Sequence, residues 1–155
     1  ALPIYVNKTS VYRRWPTREA LIAAALERVL DDLTMQIPDT GSLHGDLLAL
    51  GGRVATFLHQ PAGRALAQAV FAESLAPSIA SLARRQLEAS AGGPALAMVQ
   101  RAVARGEWRP DVSPVTLLSM LVGAILHRMM LERQEASPSW LAEVVAVLLC
   151  GVRAR

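Results

Sequence analysis

The hydrophobic residues of this chain recur at intervals of three and four positions, which is the period of an amphipathic α-helix. The pattern is clearest after Ser42, a residue that favours a helix N-cap. The apolar positions there are Leu43, Leu47, Leu50, Val54 and Phe57. Aromatic residues make up only 5% of the chain, and no segment alternates polar and β-branched residues as a strand does. The sequence therefore predicts an all-α fold.

Proline, glycine and capping residues predict where the helices begin and end. A first helix would run from about 8 to 15 and stop at Pro16, and a second from about 17 to 36. A break is expected at 92–94, which reads Gly-Gly-Pro, and Gly106 should end the helix that follows. The inward positions of that helix would be Leu96, Val99 and Val103.

The two C-terminal helices are more apolar than a chain of 155 residues can easily cover. Each begins with a serine followed by a proline, at 113–114 and 137–138. Pairing with a second copy in a four-helix bundle would cover both helices, and packing within one chain is the alternative. The residues expected in such a dimer interface are Ile125, Met129, Trp140, Leu141, Val144, Val145 and Leu148.

Two further features concern the compartment. The longest apolar stretch, 115–126, is shorter than the roughly 20 residues of a membrane span, so no membrane partner is expected. Cys150 is the single cysteine, which excludes a disulfide framework and fits a reducing cytoplasm. We expect Cys150 to pack as a small core residue.

The formal net charge is +3, and the whole excess lies in residues 1–20, where four basic residues face Glu19 alone. A basic patch on a neutral body is typical of a protein that binds a polyanion, although a solvated basic helix is the alternative. The four basic residues are Lys8, Arg13, Arg14 and Arg18.

Residues 6–21 resemble the end of the helix-turn-helix of TetR-type (tetracycline-repressor-like) transcriptional regulators. The matching positions are Ser10, Val11, Tyr12, Trp15, Thr17, Arg18, Glu19 and Leu21. Residues 101–109 and 121–131 resemble, more weakly, one C-terminal subgroup of the family. The resemblance implies that 1–38 is the C-terminal part of a DNA-binding domain, with the recognition helix at about 8–15 and a connecting helix at about 17–36. Residues 39–155 would be the regulatory and dimerisation domain.

Two more helices precede this point in a complete domain of the family, and residues 1–5 cannot supply them. We therefore expect that the N-terminal part of the domain is missing, or that residues are missing near position 4. The resemblance implies contacts to double-stranded operator DNA, with the N-terminal end of the recognition helix at the base edges and later residues at phosphates. The candidates are Lys8, Thr9, Ser10, Tyr12, Arg13 and Arg18.

The family also implies a mostly apolar effector pocket between helices. Its candidate lining residues, each of which could instead be ordinary core, are Phe57, Phe71, Met98, Met120, Leu121 and His127. The function implied is a repressor released from a palindromic operator by a small hydrophobic effector, with no cofactor or metal. The alternative is a helical carrier, or a dimerisation module without specific DNA binding. Catalytic motifs such as GxSxG and HExxH are absent from the sequence, so an enzyme is not expected.

Overall fold

The computed structural model describes residues 8–17, 20–21, 24, 37–71 and 77–152. Every regular element in these ranges is a helix, which confirms the all-α prediction. The helices are α1 (Lys8–Arg14), α2 (Leu43–His59), α3 (Pro61–Phe71), α4 (Pro77–Ala104), α5 (Pro114–Leu126) and α6 (Pro138–Val152). A π-helical turn, His127–Leu131, continues directly from the end of α5.

Two residues cap helices as the sequence predicts, whereas the Ser113 side chain makes no capping hydrogen bond at the start of α5. The Thr17 hydroxyl accepts a hydrogen bond from the Ala20 backbone N–H at 3.1 Å, and the Ser42 hydroxyl accepts one from Gly45 at 3.1 Å. Each bond satisfies a donor that the first turn of a helix leaves free. Gly106 follows α4 with φ of +72°, the left-handed conformation that favours glycine after a helix. Most of the predicted connecting helix, residues 25–36, and its predicted start at 18–19 lie outside the described residues.

The predicted break at 92–94 is wrong, because α4 runs through it as one helix from Pro77 to Ala104. A proline inside a helix removes one backbone hydrogen bond and costs about 3 kcal/mol. The packing of the following turns offsets this cost. The inward face is also shifted from the prediction, since Leu96 and Val103 are exposed and only Val99 of the three is buried. The residues that α4 buries here are Ala95, Met98, Val99 and Ala102.

Helix α2 lies at the centre of the core and packs against both α5 and α6. A Cβ atom placed on Gly51 would lie 3.2 Å from Leu141 Cδ2 and 3.6 Å from Ile125 Cδ1, so α2 crosses these helices closely. Gly51 therefore marks a close crossing of helices, whereas a Cβ atom on the neighbouring Gly52 would have nothing within 4 Å. The α2 residues in the core are Leu43, Leu47, Leu50, Val54 and Leu58.

Helix α5 and its π-turn together form an apolar stretch of 18 residues, Pro114–Leu131, longer than the stretch counted in the sequence. By length and composition alone it could cross a membrane. Its inner face, however, belongs to the same core as α2 and α6, which places it in the globular body of the molecule. The buried residues of this face are Leu117, Leu121, Ile125 and Met129.

Candidate nucleic-acid interface and regulatory domain

Helix α1 separates its polar side chains from its apolar ones. Tyr12 is 60% exposed, and Ser10 and Arg13 are exposed beside it. Val11 and Trp15 are half-buried, and the Trp15 backbone N–H closes the helix by donating to the Val11 carbonyl at 2.8 Å. The face with Tyr12 and Arg13 is therefore open to a ligand, while the opposite face is partly covered.

The indole of Trp15 also contacts its neighbour Arg14, whose guanidinium carbon lies 5.3 Å from the ring centroid. Such a cation–π contact holds the guanidinium against the aromatic ring. Of the other predicted DNA contacts, Lys8 and Thr9 lie in the first turn of α1. Their side chains, and Arg18 as a whole, lie outside the described residues.

A buried carboxylate lies at the beginning of the helical body that starts with α2. Asp46, in the first turn of α2, has no exposed surface. Its Oδ1 accepts hydrogen bonds from the Thr40 backbone N–H at 2.8 Å and the Thr40 hydroxyl at 2.7 Å. Its Oδ2 accepts one from Arg105 at 3.2 Å and lies 3.7 Å from the Arg101 guanidinium. The carboxylate therefore has a donor or a cation at both oxygens.

These contacts decide the ionisation of Asp46. Burial by itself would raise the pKa of the carboxyl group, because it penalises the charged form. The two hydrogen bonds from Thr40, the one from Arg105 and the charge of Arg101 together outweigh burial and hold the pKa below its ordinary value. Asp46 is consequently an anion at neutral pH.

The same arginines tie residues 37–43 to the end of α4. Arg105 also contacts Asp39 at 3.2 Å and Glu107 at 3.2 Å, and Arg101 donates to the Ile37 carbonyl at 3.4 Å. Glu107 in turn accepts a hydrogen bond from the Leu43 backbone N–H at 2.6 Å. We call Asp39, Thr40, Asp46, Arg101, Arg105 and Glu107 the junction cluster. It anchors the segment that precedes α2 to the end of α4.

The predicted effector-pocket residues whose side chains the structure describes differ widely in their surroundings. Met98 and Leu121 are completely buried core residues, and Phe57 is half-buried. Met120 is exposed, and so is His127, whose Nδ1 lies 3.4 Å from Glu132. The Phe71 side chain lies outside the described residues.

Two adjoining clefts open elsewhere on the surface, between the α2–α3 corner and the segment that follows the π-turn. Their volumes are about 500 Å³ and about 410 Å³. They share His59, Met129 and Glu135. None of the predicted pocket residues whose side chains the structure describes lines either cleft.

The residues predicted for a dimer interface fall into a buried group and a half-buried group. Five of them lie in the core of the single chain, because they point toward α2, and so have no surface for a partner. These five are Ile125, Met129, Leu141, Val145 and Leu148. Trp140 and Val144 are half-buried at the edge of that core. The outer face of α5 and α6 instead presents other apolar side chains, and Cys150, expected in the core, is exposed there.

Comparison with known proteins decides the family. Residues 37–148 match the family described as "Tetracyclin repressor-like, C-terminal domain", which is most of the described helical body. The chain belongs to the TetR-type family of transcriptional regulators. The family resemblance of residues 6–21 is thereby supported by an independent part of the sequence, the regulatory domain.

The relatives of this TetR-type chain carry matching names. It is 23% identical over 96% of its length to the uncharacterized HTH-type transcriptional regulator YdeS of Bacillus subtilis, of which it covers 75%. It is 31% identical over 79% of its length to the HTH-type transcriptional regulator AqdR of Rhodococcus erythropolis. It is 28% identical over 82% of its length to the DNA-binding transcriptional repressor TetR of Mycobacteroides abscessus. It spans 58% of AqdR and 67% of that repressor.

The fold of this TetR-type chain also has a solved counterpart. The crystal structure of the TetR family transcription regulator SCO0332 superposes with a TM-score of 0.74 at 29% sequence identity. The match covers 97% of this chain and 82% of that one. The similarity therefore extends beyond the matched C-terminal domain to the N-terminal segment that contains α1.

Proposed function

We propose that this chain is the DNA-binding and effector-sensing subunit of a homodimeric transcriptional repressor. The observation that carries the proposal is the open polar face of α1, with Ser10, Tyr12 and Arg13 exposed, in a chain of the TetR-type family. All the excess positive charge of the sequence lies in the same segment. A short basic helix with one covered side and one free side suits insertion into the major groove.

Each exposed residue of α1 has a chemical role in this proposal. Ser10, with Lys8 and Thr9 in the same turn, supplies small donors and a cation to base edges. Tyr12 and Arg13 contact phosphates, which fix the position of the helix along the duplex. Arg18, near the start of the connecting helix that the sequence predicts, adds a further phosphate contact.

Selection of genomic DNA by the intact protein tests this assignment. We expect one near-palindromic site to be enriched, because a two-fold symmetric dimer reads two equal half-sites about 34–36 Å apart or a multiple of that distance. Tyr12→Ala should abolish the enrichment. Leu96→Ala, which shortens an exposed side chain on α4, is the control and should leave it intact.

Retention of DNA at low salt without any enriched sequence would contradict the proposal. It would show only a basic helix that attracts polyanions, since phosphate contacts carry no sequence information. The carrier function would then become the better explanation of the regulatory domain.

The dimer of this proposal forms through the outer face of α5 and α6. Its exposed apolar residues do not belong to the core of the chain, and exposed apolar side chains on neighbouring helices favour an interface. A second copy fits, because the two helices of each subunit complete a four-helix bundle. The residues that identify the face are Val115, Met120 and Val147, exposed by 72%, 56% and 72%.

Sedimentation of the intact protein tests the interface. Val147→Glu places a charge on the proposed face and should convert the dimer to a monomer, because a buried unpaired charge is costly. Leu96→Glu is the matched control, since Leu96 is 56% exposed on α4, outside this face. A Val147→Glu protein that remains as dimeric as the control would contradict the assignment.

A further inference from the structure

The two adjoining clefts have different chemical character. The first is walled mainly by apolar groups and runs from the C-terminal turn of α2 to the segment after the π-turn, with Ala55, Pro61, Met129 and Ala136 among its lining residues. The second continues beyond His59 along α3 and is mainly polar. A molecule that occupied both would meet apolar walls at one end and polar groups at the other.

Two arginines line the polar cleft. Arg64 comes from α3, and Arg133 comes from the segment after the π-turn. Within the described part of the chain, the side chain of Arg64 makes one long hydrogen bond, from Nε to the Leu58 carbonyl at 3.4 Å, and no hydrogen bond or ion pair involves the side chain of Arg133. Both guanidinium groups therefore have donors to offer to a ligand.

The backbone at Arg133 is unusual for this residue type. Its φ is +56°, and no other non-glycine residue among those that the structure describes has a positive φ. This conformation costs about 1–3 kcal/mol and clusters at ligand-binding positions. It follows a π-helical turn. Such turns are rare in proteins, and those that occur often lie at functional sites. Both irregularities belong to the end of the same helix, and this helix end borders the polar cleft.

The neighbouring contacts hold this conformation in place. The Gln134 backbone N–H donates to the Arg128 carbonyl at 3.0 Å. The Arg128 guanidinium donates to Glu132 at 3.0 Å and to the Glu135 carbonyl at 3.4 Å. Because bonds on both sides of Arg133 fix the chain, the strain persists in the folded protein and sets the position of that residue at the cleft.

We propose that the two clefts together bind an amphipathic monocarboxylate, with its apolar body against Met129 and its carboxylate between Arg64 and Arg133. Guanidinium groups bind carboxylates through paired charge-assisted hydrogen bonds. Glu135 also lines both clefts, so a ligand with several negative charges is disfavoured. The inference rests on the proposed function only in that this ligand would be the effector.

Calorimetric titration of the intact protein with three eight-carbon probes tests the site. Octanoate should bind, whereas octanol and octylamine, which have the same apolar body without the carboxylate, should bind at least tenfold more weakly. Arg133→Gln and Arg64→Gln should each weaken octanoate binding by about tenfold, as expected for losing one charge-assisted pair. Arg85→Gln is the control, because Arg85 is an exposed arginine on α4 that lines neither cleft.

Three results would overturn the proposal: no binding of octanoate, equal binding of the three probes, or octanoate binding that neither arginine substitution changes. A thermal melt of each variant shows whether it is folded. If Arg64→Gln does not fold, the Arg133 variant and the series of probes still decide the outcome. Octanoate binding should be unchanged in Tyr12→Ala, so a failure of DNA binding and a failure of this site are distinguishable.

Discussion

At the scale of single residues, Asp46 shows how a buried charge can hold a domain boundary. The carboxylate is fully buried, yet its pKa is lowered because Thr40, Arg105 and Arg101 favour the anion more than burial disfavours it. Both arginines remain partly exposed, which spares the cluster the full cost of burying every charge. Asp46 therefore stabilises the start of α2 through its charge.

Asp46→Asn tests this role while keeping the size of the side chain. We expect the free energy of unfolding to fall by about 2–3 kcal/mol, because the amide cannot accept all the bonds of the carboxylate and removes the buried anion that Arg101 and Arg105 share. Urea unfolding measures the change. Asp111→Asn, which removes an exposed carboxylate paired with Arg109, is the control and should change stability by less than about 0.5 kcal/mol.

The pH dependence of the same variant gives a second readout. The pKa of Asp46 is lower in the folded than in the unfolded protein, so its contribution is present above the unfolded value of about 3.9 and is lost as the pH falls through the folded value. The difference in stability between the wild type and Asp46→Asn should therefore be largest at neutral pH and shrink in acid. A difference independent of pH would contradict a role for the charge.

At the scale of elements, the corner between α2 and α3 depends on a close approach of backbones. A Cβ atom on Gly63 would lie 2.1 Å from the Phe57 carbonyl oxygen, a backbone atom that cannot rotate away. This corner sets the position of α3 beside His59, and so the shape of both clefts. The sequence offers no sign of this constraint, because a glycine inside a helix such as α3 is usually only a weak helix former.

Gly63→Ala should destabilise the protein by about 2 kcal/mol or more, because α2 and α3 must move apart to accept the methyl group. Gly92→Ala makes the same chemical change inside α4, where a Cβ atom would have nothing within 4 Å. It should raise stability by up to about 1 kcal/mol through helix propensity. Thermal melts of the two variants compare them, and equal shifts would contradict the close approach.

Helix boundaries were predictable where a single residue sets them. Thr17 and Ser42 cap, and the prolines at 114 and 138 begin helices, because the interactions involved span three or four residues. The break at 92–94 was not predictable, since the local cost of Pro94 is offset by packing of the following turns. The buried role of Asp46 was not predicted from the sequence. The signal was available, because Asp46 is a carboxylate among the apolar positions that α2 buries.

At the scale of the whole molecule, hydrophobic periodicity cannot tell an internal core from an interface between subunits. The sequence assigned Ile125, Leu141 and Val145 to the dimer, whereas the structure places them against α2. The inner and outer faces of α5 and α6 both carry apolar side chains. Only the position of α2 shows which of the two faces is the internal core. The proposed interface therefore moves to the opposite side of the same helices, where Val115 and Val147 are exposed.

The junction cluster also offers a route by which an effector could act on the DNA-binding region. The junction cluster ties residues 37–43 to α4, so a shift of α4 would reach the segment that leads toward the DNA-binding region. An effector that favours one arrangement of this segment would change operator affinity by the coupling energy, typically about 1–3 kcal/mol or 5- to 150-fold. We expect the selected operator to lose affinity when the effector binds.

The most direct measurement is the affinity of the intact protein for its selected operator over a series of salt concentrations. Arg13→Ala should weaken binding and reduce the slope of log affinity against log salt by about one, because one phosphate contact is lost. Arg85→Ala removes the same charge from α4 and should leave both affinity and slope unchanged. If Arg13→Ala and Arg85→Ala behave alike, α1 does not contact the DNA backbone and the proposed interface is wrong.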